Sequence, residues 1–288
     1  MTDENGFTLH GLDRISVSQA NQFREDASGW AVKVLHKVKF PVGWAAWQGK
    51  AVEAGVDAGL YDMIDAVDCA EIAIERLKLE GIMAPNKAAE LEKRIPIVKR
   101  MVEIALEQLL PLGEPDRPPE GDRQWEVNVP IRFKSGQAGI IGNKGFLDYK
   151  YTITPEMRRK MDGLDDFDQL VVDLKTTSKA PSEWTIGHGI QASVYEQSVA
   201  LENPCIGGSG NRVQVRFLYA LTRQKNPFLW LTMENSEDYI EILKRTIRQM
   251  DALLSLSADK DKLLAAIPHN PEHYYWSNAQ EISAQYYG

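Results

Sequence analysis

Residues 170–178, LVVDLKTTS, carry the most chemically loaded pattern in the chain. Apolar Leu170, Val171 and Val172 predict a buried strand. Side chains alternate along a strand, so Asp173 and Lys175 share one face while Val172 and Leu174 share the other. A buried charge is costly unless it is paired or binds a metal. Asp148 stands in GFLDYKY, a segment otherwise of Phe, Leu and Tyr. On neighbouring strands these two carboxylates would converge, and then either one protonates or a cation sits between them. A hard divalent cation suits oxygen ligands. It acidifies a bound water and neutralises charge growing on a phosphoryl group. Lys175 would orient that water, or take its proton if its own pKa is depressed. Taken alone the Asp-x-Lys triplet is commonplace, because Asp148 and Lys150 form a second one.

Five more candidates surround this core. Gln191 and Tyr195 are spaced i, i+4, on one face of a predicted helix. Glu53 has the small neighbours Ala51, Ala54 and Gly55, as expected of a carboxylate on a tightly packed helix. Glu126 alternates with Trp125 and Val127, and points either into the same site or into water. His188 lies between Gly187 and Gly189, where contact with a phosphate competes with a structural role.

The elements that must position these residues follow from the hydrophobic period. Residues 15–36 read as one helix, N-capped by Ser16 or Ser18. Residues 43–81 read as two helices, and residues 86–112 as a long one containing Pro96. GEPDRPPEGDRQ is a loop. Then the period changes to strands at 125–133, 144–154 and 169–178, a helix at 189–202, strands at 213–223 and 228–233, and an amphipathic helix from Ser236. The tail, residues 268–288, reads as aromatic and irregular. Helices followed by an interrupted run of strands predict a mixed sheet covered by helices. We expect a single domain with a helical N-terminal part over 14–111, a sheet core over 124–256 and the tail.

The bulk numbers set bounds. With 288 residues and 43% hydrophobic content, the chain can bury a sizeable core. No apolar run approaches the roughly 20 residues needed to span a bilayer. The acidic start is unlike a signal peptide, and a cytoplasmic protein is expected. The net charge of −8 argues against coating nucleic acid by general basicity, but leaves room for an enzyme with a locally acidic metal site. Cys69 and Cys205 are too few for a four-thiolate site. Lys33, Lys37 and Lys39, with Arg223 and Lys225, are candidate backbone contacts. There is no Gly-rich phosphate loop of the Walker type.

The ordered segments SVSQANQF, GKAVE, WEVNVP, GFLDY, VVDLKTTS and HGIQASVY resemble the RecB-like branch of the PD-(D/E)XK nuclease superfamily. Relatives in that branch include viral recombination exonucleases and the nuclease of CRISPR adaptation. The resemblance covers residues 16–195. It implies a restriction-endonuclease-like α/β fold, with a mixed central sheet flanked by helices. It also implies a Mg²⁺- or Mn²⁺-dependent DNA nuclease, most simply an exonuclease of recombination, repair or replication. Carried over by position, Asp148, Asp173, the Leu174 carbonyl and Glu53 would bind metal, Glu53 standing where many relatives have histidine. Lys175 would be the catalytic lysine. Gln191 and Tyr195 would engage DNA or steady the site. DNA ends would be the substrate, and a single-strand annealing protein is a conceivable partner. Many relatives hold an iron–sulfur cluster through one early and three late cysteines. REDASGW and YYWSNAQEISAQYYG contain none, so no cluster is expected, and packing of Tyr274, Tyr275 and Trp276 would fill its role. The alternatives are a catalytically silent DNA-binding or scaffold protein of the same fold, and a structure-specific endonuclease.

Overall fold

The computed structural model describes residues 5–82, 84, 86–118, 124–179, 181–202, 212–222 and 225–288. Cys205 and Arg223 lie outside them. Its first helices are α1 (Gly6–Leu9), α2 (Val17–Glu25) and α3 (Ala27–Val34). Ser16 is the N-cap of α2, in a reciprocal capping box with Gln19. The expected single helix over 15–36 is divided at Asp26, which ends α2 and begins α3. Ahead of α2 lies a two-residue strand, β1 (Arg14–Ile15), which the sequence did not announce.

α4 (Trp44–Tyr61), α5 (Ala66–Glu80) and α6 (Lys87–Leu109) form a three-helix layer. Small residues let these helices approach closely. A Cβ at Gly55 would meet the Cys69 carbonyl oxygen at 2.6 Å, and one at Gly59 would meet Leu106 Cδ2 at 2.6 Å. Glu53 is therefore carried on a helix packed closely against the Cys69 backbone and the Leu106 side chain. The aliphatic residues of this layer share one core with Leu170, Val172, Leu218 and Ala220 of the sheet.

The strands β2 (Trp125–Arg132), β3 (Ile140–Leu147), β4 (Tyr149–Thr152), β5 (Gln169–Thr177), β6 (Val213–Leu221) and β7 (Phe228–Thr232) form two sheets. With β1 they run in the orders β1-β3-β2 and β4-β5-β6-β7. β5 and β6 are parallel and joined by α8 (Ile186–Glu202), as a parallel pair requires a crossover. α7 (Pro155–Lys160) links β4 to β5. α9 (Ser236–Leu254), α10 (Lys260–Ala265) and α11 (Gln280–Tyr287) complete the chain. The second core, on the opposite face of the four-stranded sheet, joins Val171, Val215, Phe217 and Tyr219 to α8, α9 and the three-stranded sheet.

Two expectations are corrected. The strand over 144–154 is two strands, and Asp148 is the break between them. The reason is local: Leu174 N–H donates to the Asp148 carboxylate at 2.8 Å instead of to a ladder carbonyl. The tail is also regular, with a 3-10 turn at Tyr274–Trp276 followed by α11. Among the described residues, no helix is long and apolar enough to cross a membrane.

Candidate active site

β5 places its residues as the alternation requires. Val172 and Leu174 face the three-helix layer, while Asp173 and Lys175 face α8. β4 pairs with β5 antiparallel, with Tyr149 opposite Val172, and continuing that register sets Asp148 against Asp173. Asp173 is 1% exposed. Its Oδ2 lies 2.5 Å from Lys175 Nζ. Its Oδ1 accepts from Gln191 Nε2 at 3.2 Å.

α8 supplies the other wall. Gln191 and Tyr195 stand one turn apart, and Gln191 Nε2 donates to the Tyr195 hydroxyl at 2.6 Å. The one phenolic proton is shared between the Phe146 carbonyl at 2.7 Å and Asp173 Oδ1 at 3.2 Å. Gln191 Oε1 accepts from Lys175 Nζ at 3.1 Å. Lys175 also lies 4.9 Å from the Phe217 ring centroid. Glu53, on α4, accepts a hydrogen bond from Gln124. Glu53, Asp148, Asp173, Lys175, Gln191 and Tyr195 line one pocket of about 250 Å³, with Leu174 beside them.

The electrostatics are strained by design of the residue set: three acids face one base. Burial raises the Asp148 pKa well above the usual carboxylate value, and the negative charges of Asp173 and Glu53 raise it further. Burial likewise raises Glu53, against the hydrogen bond from Gln124. For Lys175 burial pulls downward, but Asp173 and Asp148 outweigh it and hold the ammonium above its ordinary value.

A hard divalent cation matches this set in donor type and in charge: all donors are oxygens, and a cation would relieve the repulsion that raises Asp148 and Glu53. The ligands are not already gathered. Among the described residues no three His, Cys, Asp or Glu side chains stand close enough to hold a metal. Their oxygens are engaged by Leu174 N–H, Lys175, Gln191, Tyr195 and Gln124 instead.

Two candidates lie elsewhere. Glu126 is exposed on the edge strand β2, with Lys144 Nζ at 2.6 Å. Glu126 shares a face with Phe146, its partner across the ladder, but does not itself line the carboxylate pocket. His188 sits on the first turn of α8, its Nδ1 2.7 Å from the Tyr219 hydroxyl. Burial and the nearby Lys175 lower its pKa. It lines neighbouring hollows rather than the carboxylate pocket. Lys150, of the second Asp-x-Lys, lies over the Trp125 ring at 3.2 Å.

Two residues of the site were not anticipated. Gln124 precedes β2 and orients Glu53, and no pattern in the sequence marks it. Phe146 lines the pocket and is 49% exposed. Its signal was parity, since it is out of phase with buried Leu147 and Tyr149.

The likeness to known proteins is one of shape. A crystal structure of a putative exonuclease from Eubacterium rectale aligns at TM-score 0.52. The alignment covers 83% of this chain and 80% of that one, at 12% identity. It shows a shared α/β fold. A structure described as SSO0001 aligns at TM-score 0.31 and 9% identity, over 80% of this chain and 86% of that one, and carries no argument. No family model and no curated protein matches the sequence.

Proposed function

We propose that the chain is a metal-dependent DNA exonuclease of the RecB-like PD-(D/E)XK type, acting in recombination, repair or replication. The observation that carries this reading is the convergence of Asp148, Asp173, Lys175 and Glu53 with Gln191 and Tyr195 in one pocket. A fold shared with the Eubacterium rectale protein agrees with it.

Asp148, Asp173, Glu53 and the Leu174 carbonyl would hold Mg²⁺ or Mn²⁺. When bound, the cation supplies Lewis acidity and charge neutralisation at the scissile phosphate. Lys175, fixed between Asp173 and Gln191, presents its ammonium to the attacking water and the phosphate oxygens. Gln191 and Tyr195 hold the Asp173 carboxylate in one orientation. Water adds its oxygen to phosphorus and gives up one proton, the bond to the 3′-oxygen breaks, and that oxygen takes up a proton and leaves as a hydroxyl, with the phosphate kept on the 5′ side.

The test is cleavage of end-labelled linear DNA and covalently closed circular DNA in Mg²⁺, Mn²⁺ or EDTA, with Lys175→Ala alongside. The reading predicts metal-dependent loss of the linear substrate only, abolished in the variant. Cutting of the circle would make the protein an endonuclease. Binding without any cutting would make it a silent member of the fold.

A further inference from the structure

A larger cleft of about 840 Å³ adjoins the carboxylate pocket and shares Phe146, Gln191 and Tyr195 with it. Its other end is lined by Tyr274 and Tyr275 of the tail. Three features define what it suits.

Phe146 is the first. Its ring is half-exposed beside three acids, so core packing does not account for it. It lines the cleft, the carboxylate pocket and a third hollow beside Glu53. Its backbone is fixed by the Tyr195 hydroxyl and by pairing with Glu126 of β2. A held aromatic face therefore stands where all three hollows meet.

The second is the tail pair. Tyr274 and Tyr275 stack at 4.3 Å and 29°, and Tyr274 is 61% exposed. Their hydroxyls reach Glu25 Oε2 at 2.8 and 3.4 Å, which fixes the rings at the rim. His273 stacks on Tyr275 at 5.2 Å and 24°.

The third is charge. The cleft carries Asp13 and Glu25 against Arg14 and Lys144, and Lys144 is already paired with Glu126. It offers no surplus of positive charge. A duplex is gripped chiefly through phosphates neutralised by Lys and Arg. A single strand can in addition stack its bases on aromatic rings, a contribution that a duplex, with its bases already paired and stacked on each other, does not make.

We propose that this cleft takes a single DNA strand, with one base on Phe146 at the carboxylate pocket and another on Tyr274 at the far end, so that the enzyme selects unpaired ends. The proposal rests on the nuclease reading of the adjoining pocket for its chemistry, but its binding claim is independent of cleavage.

The experiment measures binding of a fluorescent oligothymidylate and of a blunt duplex by anisotropy in EDTA, then cleavage of both in Mg²⁺. The single strand is expected to bind more tightly and to be cut faster. Phe146→Ala should weaken its binding on the order of ten-fold, with Phe146→Trp restoring it. Tyr274→Ala should weaken it less, leaving duplex binding unchanged. A duplex bound and cut as well as the single strand overturns the proposal. So does parental single-strand binding by both alanine variants. Single-strand binding of the expected pattern without cleavage in Mg²⁺ supports the cleft and overturns the nuclease reading. Cleavage without strand preference does the reverse.

Discussion

Two polar clusters tie distant parts of this chain together, and they handle charge in opposite ways. The carboxylate pocket joins α4, the β3–β4 break, β5 and α8 through three acids and one lysine. The tail cluster joins α3 to α11 through hydroxyls, a histidine and one acid. Ser28 Oγ donates to Asp26 at 2.5 Å and lies 3.1 Å from His269 Nδ1. His269 Nε2 lies 2.7 Å from Ser283 Oγ, and the ring stacks on Tyr287 at 3.9 Å. Trp276, fully buried, packs on Phe40 and His269. One cluster crowds acids against their own preference, with Asp148 and Glu53 raised by burial and by neighbouring acids. The other has a single acid and lowers its histidine toward neutrality. Such a difference is the one expected if the first cluster serves chemistry, as proposed above, and the second serves cohesion.

The sharpest way to break this contrast is Asp148→Asn. It removes a buried carboxyl whose ionised form is disfavoured by burial and by Asp173 and Glu53, and keeps an acceptor for Leu174 N–H. Cleavage should fall about 10³-fold or more, while the melting temperature rises instead of falling. Rates and thermal melts on one preparation decide it, and a loss of both would place the pocket with the structural cluster. Trp276→Ala should behave in the opposite sense, losing about 3–5 kcal/mol of stability by denaturant titration. The folded fraction should keep a kcat close to the parental one.

Much of the pocket was legible because strand alternation is rigid. Asp173 and Lys175 share a face because β5 has period two, and Asp148 meets them because β4 and β5 are neighbours in sequence and in space. Alternation also misled. It put Glu126 opposite Val127 correctly, but could not say that the face beyond was solvent. The small residues beside Glu53 signalled close packing, but not that the packing at Gly55 and Gly59 would carry it to β5. The stop at Asp148 was hidden because it depends on a side chain capturing a neighbour's amide. The tail looked irregular because its helix is short and its order comes from contacts with residues more than 200 positions away.

Tyr195→Phe is a finer probe. Removing the hydroxyl leaves Asp173 Oδ1 and the Phe146 carbonyl each one donor short, at a cost of about 1–2 kcal/mol. Cleavage should drop roughly ten-fold if that cost falls on the transition state. A change in stability with no change in rate would move Tyr195 out of the site. The smallest expected effect is on the tail. Burial lowers His269 in the folded state below the ordinary value near 6.5. The unfolded chain therefore takes up its proton first, and stability present above about pH 6.5 is lost as pH falls through that value. Melting temperatures from pH 8 to 5 should decline more for the parent than for His269→Gln. Parallel curves would remove His269 from the account.

The central proposal is that the acids at 53, 148 and 173 close on a divalent cation. Its most direct test is Mn²⁺ binding to the intact chain by calorimetry, compared with Asp148→Asn/Asp173→Asn. We predict saturable binding by the parent that is lost in the double variant. Unchanged Mn²⁺ binding by that variant would contradict it.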